Sequence, residues 1–258
     1  MVALQNSEPV AQTLGNWLHL LGGFRLELAG ATVSVPVNGQ RLLAYLSIRG
    51  AMPRADVAGT LWPEVSEHNA YGSLRTTMWR LHRTGAALID TVGAIVALSP
   101  QVSIDVRVFA DTAHSVLRRQ APTEQTDLEA ESLALATASD LLPGWYDDWV
   151  IFERERLRQL RLHTLEVLAT RLAEQRRFAA ALDTALEAIR LEPLRESAHR
   201  VVIGIHLAEG NVAEAMRHFR FVTDLLRAEL GIAPSGELTR LMPAHLESKA
   251  VTRLDMGR

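Results

Sequence analysis

The apolar positions of this chain change period along its length. After the Gly22-Gly23 pair they alternate: Phe24, Leu26 and Leu28 share one face, Arg25 and Glu27 the other. Ala29-Gly30 reads as a turn, and residues 32–37 are rich in β-branched side chains. Together these predict a small antiparallel sheet of two to four strands. Beyond residue 40 the period lengthens to that of a helix. Leu42, Leu43, Leu46 and Ile48 fall on one stripe, with Asn38 as the expected cap and Gly50 as the stop. Pro53 opens a short second helix bearing Asp56, Val57, Leu61 and Trp62, and Pro63 closes it. After a loop at 63–67 a third helix covers 69–83. Beyond Gly85, the apolar runs 88–90 and 94–98 flank Val92-Gly93 as a β-hairpin. Residues 104–117 begin extended and turn helical near Val108. Residues 121–131, with Pro122, Glu124, Asp127, Glu129 and Glu131, read as a connection into the next helix, whose first turn those acids suit.

From Leu128 onward the spacing is helical almost throughout. A long helix spans 152–174, and three more cover 176–191, 195–209 and 212–229. Gln175-Arg176, Pro193 and Gly210-Asn211 separate them. Helix pairs recur at a spacing of 34, which matches Phe178 to Val212, Ala181 to Ala215 and Leu191 to Leu225. That is the tetratricopeptide period, in which small side chains let paired helices approach. Leu165, Leu168, Ala169, Leu172, Ala181, Ala188 and Pro193 fill its large, small and Pro positions. In the second unit His199 and Ile203 stand where a large apolar and a small residue belong. The tail 247–258 reads as a frayed end. The expected fold class is mainly α, with an N-terminal winged helix-turn-helix carrying small β-sheets at 17–115 and an all-α, tetratricopeptide-like domain at 122–245.

The third helix carries the candidate chemistry. Tyr71, Leu74, Met78 and Leu81 fall on one stripe, and Asn69, Ser73, Thr76, Arg80 and Arg83 point away from it. Arg can fork onto guanine O6 and N7, while Asn, Ser and Thr can reach base edges or phosphates. An amphipathic helix with a merely solvated polar face has the same pattern. Arg75 projects nearer the apolar stripe. Gly72 costs about 1 kcal/mol of helix propensity against Ala; it is either tolerated or kept for close approach to a DNA backbone.

Composition narrows the field. The chain has 258 residues, no Cys and a net charge of −3. Disulfides, thiolate zinc sites and cysteine nucleophiles are excluded, and a reducing compartment fits. No basic region leads into an apolar run at the N-terminus and no apolar stretch approaches membrane-spanning length, so a cytoplasmic protein without a membrane segment is expected. Lys249 is the only Lys among 27 basic residues, so every other cation is a planar fork. Residues 1–115 hold eight Arg against eight acids, so a DNA-binding face must arise from local segregation of charge.

Strands, helix, short helix, loop, Arg-bearing helix and hairpin form the order of a helix-turn-helix with a β-wing, in which the third helix enters the major groove. Residues 18–100 resemble the OmpR-type version through Leu42-Leu43-Ala44-Tyr45-Leu46, Leu61-Trp62-Pro63 and the helix 69–83. The wing departs from that family: it has no aromatic beside Gly93 and no Arg. The later motifs resemble the bacterial transcriptional activator domain of the Streptomyces antibiotic regulatory protein family. They are Leu141-Leu142-Pro143-Gly144-Trp145 with Asp148-Trp149, Glu153-Arg154-Glu155-Arg156-Leu157, Arg190-Leu191-Glu192-Pro193-Leu194-Arg195-Glu196, and Leu230-Gly231-Ile232-Ala233-Pro234-Ser235 with Glu237-Leu238. The resemblance covers about residues 18–243. It implies an activator that binds double-stranded DNA at direct repeats near promoters as side-by-side protomers, recruits RNA polymerase, and controls an antibiotic-type biosynthetic cluster. Asn69, Ser73, Arg75, Thr76, Arg80 and Arg83 are the implied DNA contacts; Arg41 and Arg54 are candidates for phosphate contact, whose loss would then weaken all sequences alike. Pro63, Glu64, Val65, Ser66 and Glu67 match the loop that touches polymerase in OmpR-type domains. No receiver or ATPase pattern is visible, which implies the small form of the family.

No nucleophile elbow, phosphate loop or dinucleotide fingerprint is present, so neither enzyme nor cofactor is expected. His199 and His206 lie seven apart on one predicted helix without a carboxylate between them, so no metal site is expected and partly buried histidines are. Asp147-Asp148 reads as helix capping, and Trp145, Tyr146 and Trp149 as core packing. The rival reading is a helical-repeat scaffold or ligand sensor whose winged half has lost DNA binding. An enzyme on a helical-repeat frame is a third.

Overall fold

The computed structural model describes residues 15–118 and 128–242. The 121–127 part of the expected connection and the tail 247–258 lie outside the described residues. Strands and helices follow the order β1 (Asn16–His19), β2 (Arg25–Leu28), β3 (Ala31–Val33), α1 (Val37–Arg49), β4 (Met52–Pro53), α2 (Arg54–Leu61), α3 (Glu67–His82), β5 (Ile89–Val92), β6 (Ile95–Leu98) and β7 (Val102–Ile104). Helices follow: α4 (Asp105–Arg118), α5 (Leu128–Ala136), α6 (Asp148–Glu174), α7 (Phe178–Leu191), α8 (Glu196–Glu209), α9 (Val212–Leu230) and α10 (Gly236–Thr239). The described residues are mainly helical, as the periodicity predicts. They form two compact units: one of residues up to Val108 with Ser139–Arg154, the other of Phe109–Ala138 with residues from Glu155 onward.

In the first unit the N-terminal sheet has the order β3-β2-β1-β7. β1 to β3 are the expected antiparallel strands. β7 adds in parallel to β1, with Leu18 opposite Ile104, so the segment expected to turn helical near Val108 does so at Asp105. The Asp105 carboxylate explains the early start. It accepts from the N–H of Leu20 and Leu21 at 2.9 and 3.0 Å and from Val106 N–H at 2.7 Å, tying the first turn of α4 to the end of β1. Helix α1 begins at Val37 with Pro36 before it and no side-chain cap, so Asn38 does not cap it as expected. Gly50 stops the helix at φ 80°.

The three helices of this unit close on a core of Leu42, Leu43, Leu46, Val57, Leu61, Leu74 and Leu81, all buried. Gly39 permits the closest approach. A Cβ there would lie 2.8 Å from Val35 Cγ1 and 3.1 Å from Leu81 Cδ2. The hairpin β5–β6 pairs Val92 with Ile95 across Gly93, whose φ of 58° suits a residue without Cβ. Met52 and Pro53 add β4 to its edge, where Pro costs no ladder bond.

Segment 139–154 completes the unit. Leu142 N–H donates to Leu20 O at 2.8 Å and Gly22 N–H to Asp140 O at 2.8 Å. The Arg154 guanidinium donates to the carbonyls of Leu141, Leu142 and Trp145 at 2.7, 2.6 and 3.0 Å. Trp149 is buried and meets Tyr45 of α1 edge-on at 5.3 Å, while Trp145 stacks on Phe24 at 6.5 Å. Trp149 is core, as expected, and Trp145 is half-buried beside it, but the core is that of the winged-helix unit. Tyr146 is not part of it, at 81% exposure. Nor does Asp147 cap through its carboxylate: it takes the Arg41 guanidinium at 2.5 Å.

In the second unit α7 and α9 begin at Phe178 and Val212, the residues the 34-residue spacing pairs. Ala181 and Ala215 are fully buried where those helices meet their neighbours. The Arg190–Glu196 motif staples the helices: Glu192 pairs with Arg158 at 2.6 Å, and Arg195 with Glu166 at 2.6 Å. The second motif stops α9 at Gly231 (φ 69°), and Leu238 of α10 buries itself against Ile203, Val222 and Leu226. His206 is half-buried, as expected of a repeat histidine, whereas His199 is fully buried. The His199 Nε2–H donates to Pro193 O at 2.8 Å, so its Nδ1 accepts from His218 Nε2–H at 2.9 Å. Burial lowers the pKa of both rings, and the neighbouring His199 and His206 help bring His218 to about 4. Among the described residues no group of His, Asp and Glu is arranged to hold a metal, and no helix is long and apolar enough to cross a membrane.

Candidate nucleic-acid interface

Helix α3 is the third helix of the first unit and packs on both α1 and α2. Its buried stripe is Ala70, Leu74, Thr77 and Leu81. Tyr71 and Met78, expected on that stripe, are half-buried. The stripe is rotated because Thr77 can be buried at little cost: its hydroxyl donates to Ser73 O at 2.8 Å within the helix. The rotation brings Arg75 outward. Its expected place near the apolar stripe is thus corrected to an exposed one, together with Asn69, Thr76, Arg80 and Arg83. Residues 67–83 hold three Arg against one acid, Glu67, so positive charge is segregated onto this helix within residues 1–115, whose eight Arg and eight acids balance.

Four of the six expected contact residues converge. Asn69, Ser73, Thr76 and Arg80 line a shallow depression of about 480 Å³, with His68, Gly72 and Thr77 of α3 and Asn38 of α1. Thr76 donates its hydroxyl proton to Gly72 O at 2.9 Å, which leaves the oxygen as an acceptor. A Cβ on Gly72 would meet no atom within 4 Å. Nothing within the fold therefore requires glycine there. Arg75 and Arg83 stand outside the depression. Arg83 follows the last turn and lies over the Trp79 ring, 5.0 Å from its centroid. Asn38 and His68 escape a reading of helix 69–83 alone, since one belongs to α1 and the other precedes the stretch with clear periodicity.

The flanks carry the auxiliary residues. Pro63, Glu64, Val65 and Ser66 are exposed between α2 and α3, and Glu67 opens α3. The wing exposes Asp90, Thr91, Val92 and Gly93 and offers no cation. At the start of α2, Arg54 N–H donates to Ala94 O of the wing at 2.8 Å, and its guanidinium Nε has no partner. Arg41 is different. It donates to Leu61 O at 2.8 Å and to Asp147, so the phosphate contact expected of it gives way to a structural one.

A strand-braced three-helix unit, a hairpin after the third helix and a helical-repeat unit are the setting for the comparison with known proteins. Residues 104–245 match the family described as bacterial transcriptional activator domain. The chain belongs to the bacterial transcriptional activator domain family. The likeness of its motifs to the Streptomyces antibiotic regulatory proteins holds with it, and the chain is a transcriptional regulator of that type. The match spans Leu141–Trp145 and both stapling motifs, although the first of these packs in the winged-helix unit. Among solved structures, the chain is similar to EmbR of Mycobacterium tuberculosis, in a structure described as its complex with a low affinity phosphopeptide. The TM-score is 0.69 at 18% identity, covering 93% of this chain and 71% of that one. This shows a shared fold. No curated protein sequence matches the chain.

Proposed function

We propose that the protein is a sequence-specific DNA-binding activator. It binds direct repeats near promoters as side-by-side protomers, recruits RNA polymerase, and controls a biosynthetic gene cluster in the cytoplasm, with no enzymatic step. The observation that carries this reading is the solvent-facing polar flank of α3, where Asn69, Ser73, Thr76 and Arg80 line one depression that borders the buried Thr77 and Asn38 of α1. That side is what a braced third helix presents to the major groove. Arg80 reads a guanine edge, Asn69, Ser73 and Thr76 take base edges or phosphates, Arg75 and Arg83 neutralise flanking phosphates, and Arg54 holds the backbone beside the wing. The exposed loop through Val65 is the polymerase contact.

Binding to a selected site tests the assignment. Arg80→Ala should lose about 1–3 kcal/mol on that site and relax its sequence at one position. Arg54→Ala should weaken all sequences alike and reduce the salt slope by about one. Loop variants at Glu64 and Val65 should leave binding intact and lower transcription in a reconstituted polymerase assay. An Arg80→Ala variant with wild-type affinity and selectivity overturns the reading of α3. The rival, a scaffold or ligand sensor without DNA binding, draws on a groove of about 1030 Å³ between α6, α8 and α10, lined by Val167, Thr170, Val201, Gly204 and Ala208. Absence of DNA binding even at low salt would favour it.

A further inference from the structure

One side chain on the outward face of α3 is not absorbed by polar readout. Trp79 is 57% exposed. In helical projection it stands with Arg75, Thr76 and Arg83, at spacings of three and four residues that put side chains next to one another. The fold gives little reason for an indole there. The ring borders a depression with Met78, His82, Ile89 and Thr91, yet more than half of it faces solvent. Trp also has lower helix propensity than the straight-chain residues that usually fill an exposed helical position. Among the described residues, the charged group on its ring is Arg83, whose guanidinium lies 5.0 Å from the centroid. Stacking of this kind holds an Arg fork in one orientation.

We propose that Trp79 is a specificity-determining residue of α3, whose indole reads the C5-methyl of a thymine in the major groove while the stacked Arg83 is held toward the adjacent phosphate. The proposal rests on the DNA-reading role of α3 given above. The major groove offers one apolar feature, the thymine methyl, and it sits on the base edges that α3 faces. Every other outward side chain near Trp79 is suited to hydrogen bonds or phosphate, so the indole supplies the missing apolar probe. Helical rise places Trp79 within about 2 Å of Arg80 along the axis. The thymine should therefore lie within about two base pairs of the guanine that Arg80 reads.

The experiment replaces each thymine of the selected site, one at a time, with deoxyuridine. This deletes the methyl and leaves every hydrogen-bonding edge in place. Binding of the full chain is measured at low salt for wild type, Trp79→Ala and Trp79→Gln. Wild type should lose about fourfold at one position, the worth of one buried methyl-sized group. Both variants should bind the thymine site more weakly and lose nothing further at that position. Because Trp79 lies outside the core, their unfolding temperatures should match wild type. A wild type indifferent to every thymine methyl overturns the proposal, and so does a methyl dependence that persists unchanged in both variants. Failure of the underlying role reads differently: wild type would then select no site at all, and the proposal falls with it.

Discussion

Gly72 separates what the fold needs from what a ligand needs. It sits inside α3, where glycine is about 0.8–1.0 kcal/mol less favourable than alanine. A Cβ at this position meets no atom within 4 Å, so no clash offsets the gain. Gly72→Ala should therefore stabilise the protein by about 1 kcal/mol, which raises the unfolding midpoint of a chain of this size by about 2–4 °C. Thermal unfolding followed by circular dichroism measures it. The same position lines the depression with Asn69, Ser73, Thr76 and Arg80. Gly72→Leu keeps the helical gain but fills that space. If DNA closes on this face, the added methylenes should cost about 1–3 kcal/mol of binding, or about 5- to 150-fold in Kd. A variant that is stabilised and yet binds DNA poorly is the expected outcome. An Ala variant with a lowered midpoint would refute the open Cβ environment. A Leu variant with unchanged affinity would refute the close approach of DNA.

Three further outcomes follow from the packing. Arg41→Ala removes charged hydrogen bonds to Leu61 O and Asp147, so it should lower the stability of the winged-helix unit by about 2 kcal/mol in denaturant unfolding, while leaving the salt slope of DNA binding unchanged. Gly39→Ala forces a Cβ against Val35 and Leu81 and should cost about 1–3 kcal/mol by the same measurement, the opposite sign to Gly72→Ala. His218 has its pKa lowered to about 4 by burial and by the neighbouring His199 and His206, so the unfolded chain binds its proton first on acidification. Stability should be full above about pH 6.5, the unfolded value, and fall progressively as the pH drops toward 4. His218→Gln, which keeps a donor for His199, should flatten that part of the profile in unfolding measured across pH.

The repeat helices were legible because each carries its own signals. Phe178 and Val212 repeat at the helix starts, and Gly210 and Gly231 adopt left-handed conformations at the stops. Where the sequence misleads, a partner far along the chain decides. β7 is three residues long and is a strand because β1 lies beside it, some 85 residues away. Asn38 is a plausible cap by type, yet the helix begins one residue earlier, after Pro36. Asp147 and Arg41 each have a sensible local role, capping and phosphate contact, and each loses it to the other. The aromatic cluster at 145–149 announces a core without naming which, and Tyr45 and Phe24 supply the answer. For the interface, the polar face of α3 was readable from period alone. Its phase was not, since a self-bonded Thr77 can be buried where an apolar residue is expected. That single rotation exposes Arg75. Trp79 was missed for a related reason: an aromatic side chain reads as core until the exposure of its helix face is known.

Selection of binding sites from genomic DNA fragments by the full chain, followed by affinity against salt, tests the central claim most directly. The account expects enrichment of short direct repeats upstream of promoters, and a log–log salt slope of about −0.9 for each phosphate contacted. No enrichment at low salt, or binding that is insensitive to salt, would contradict it.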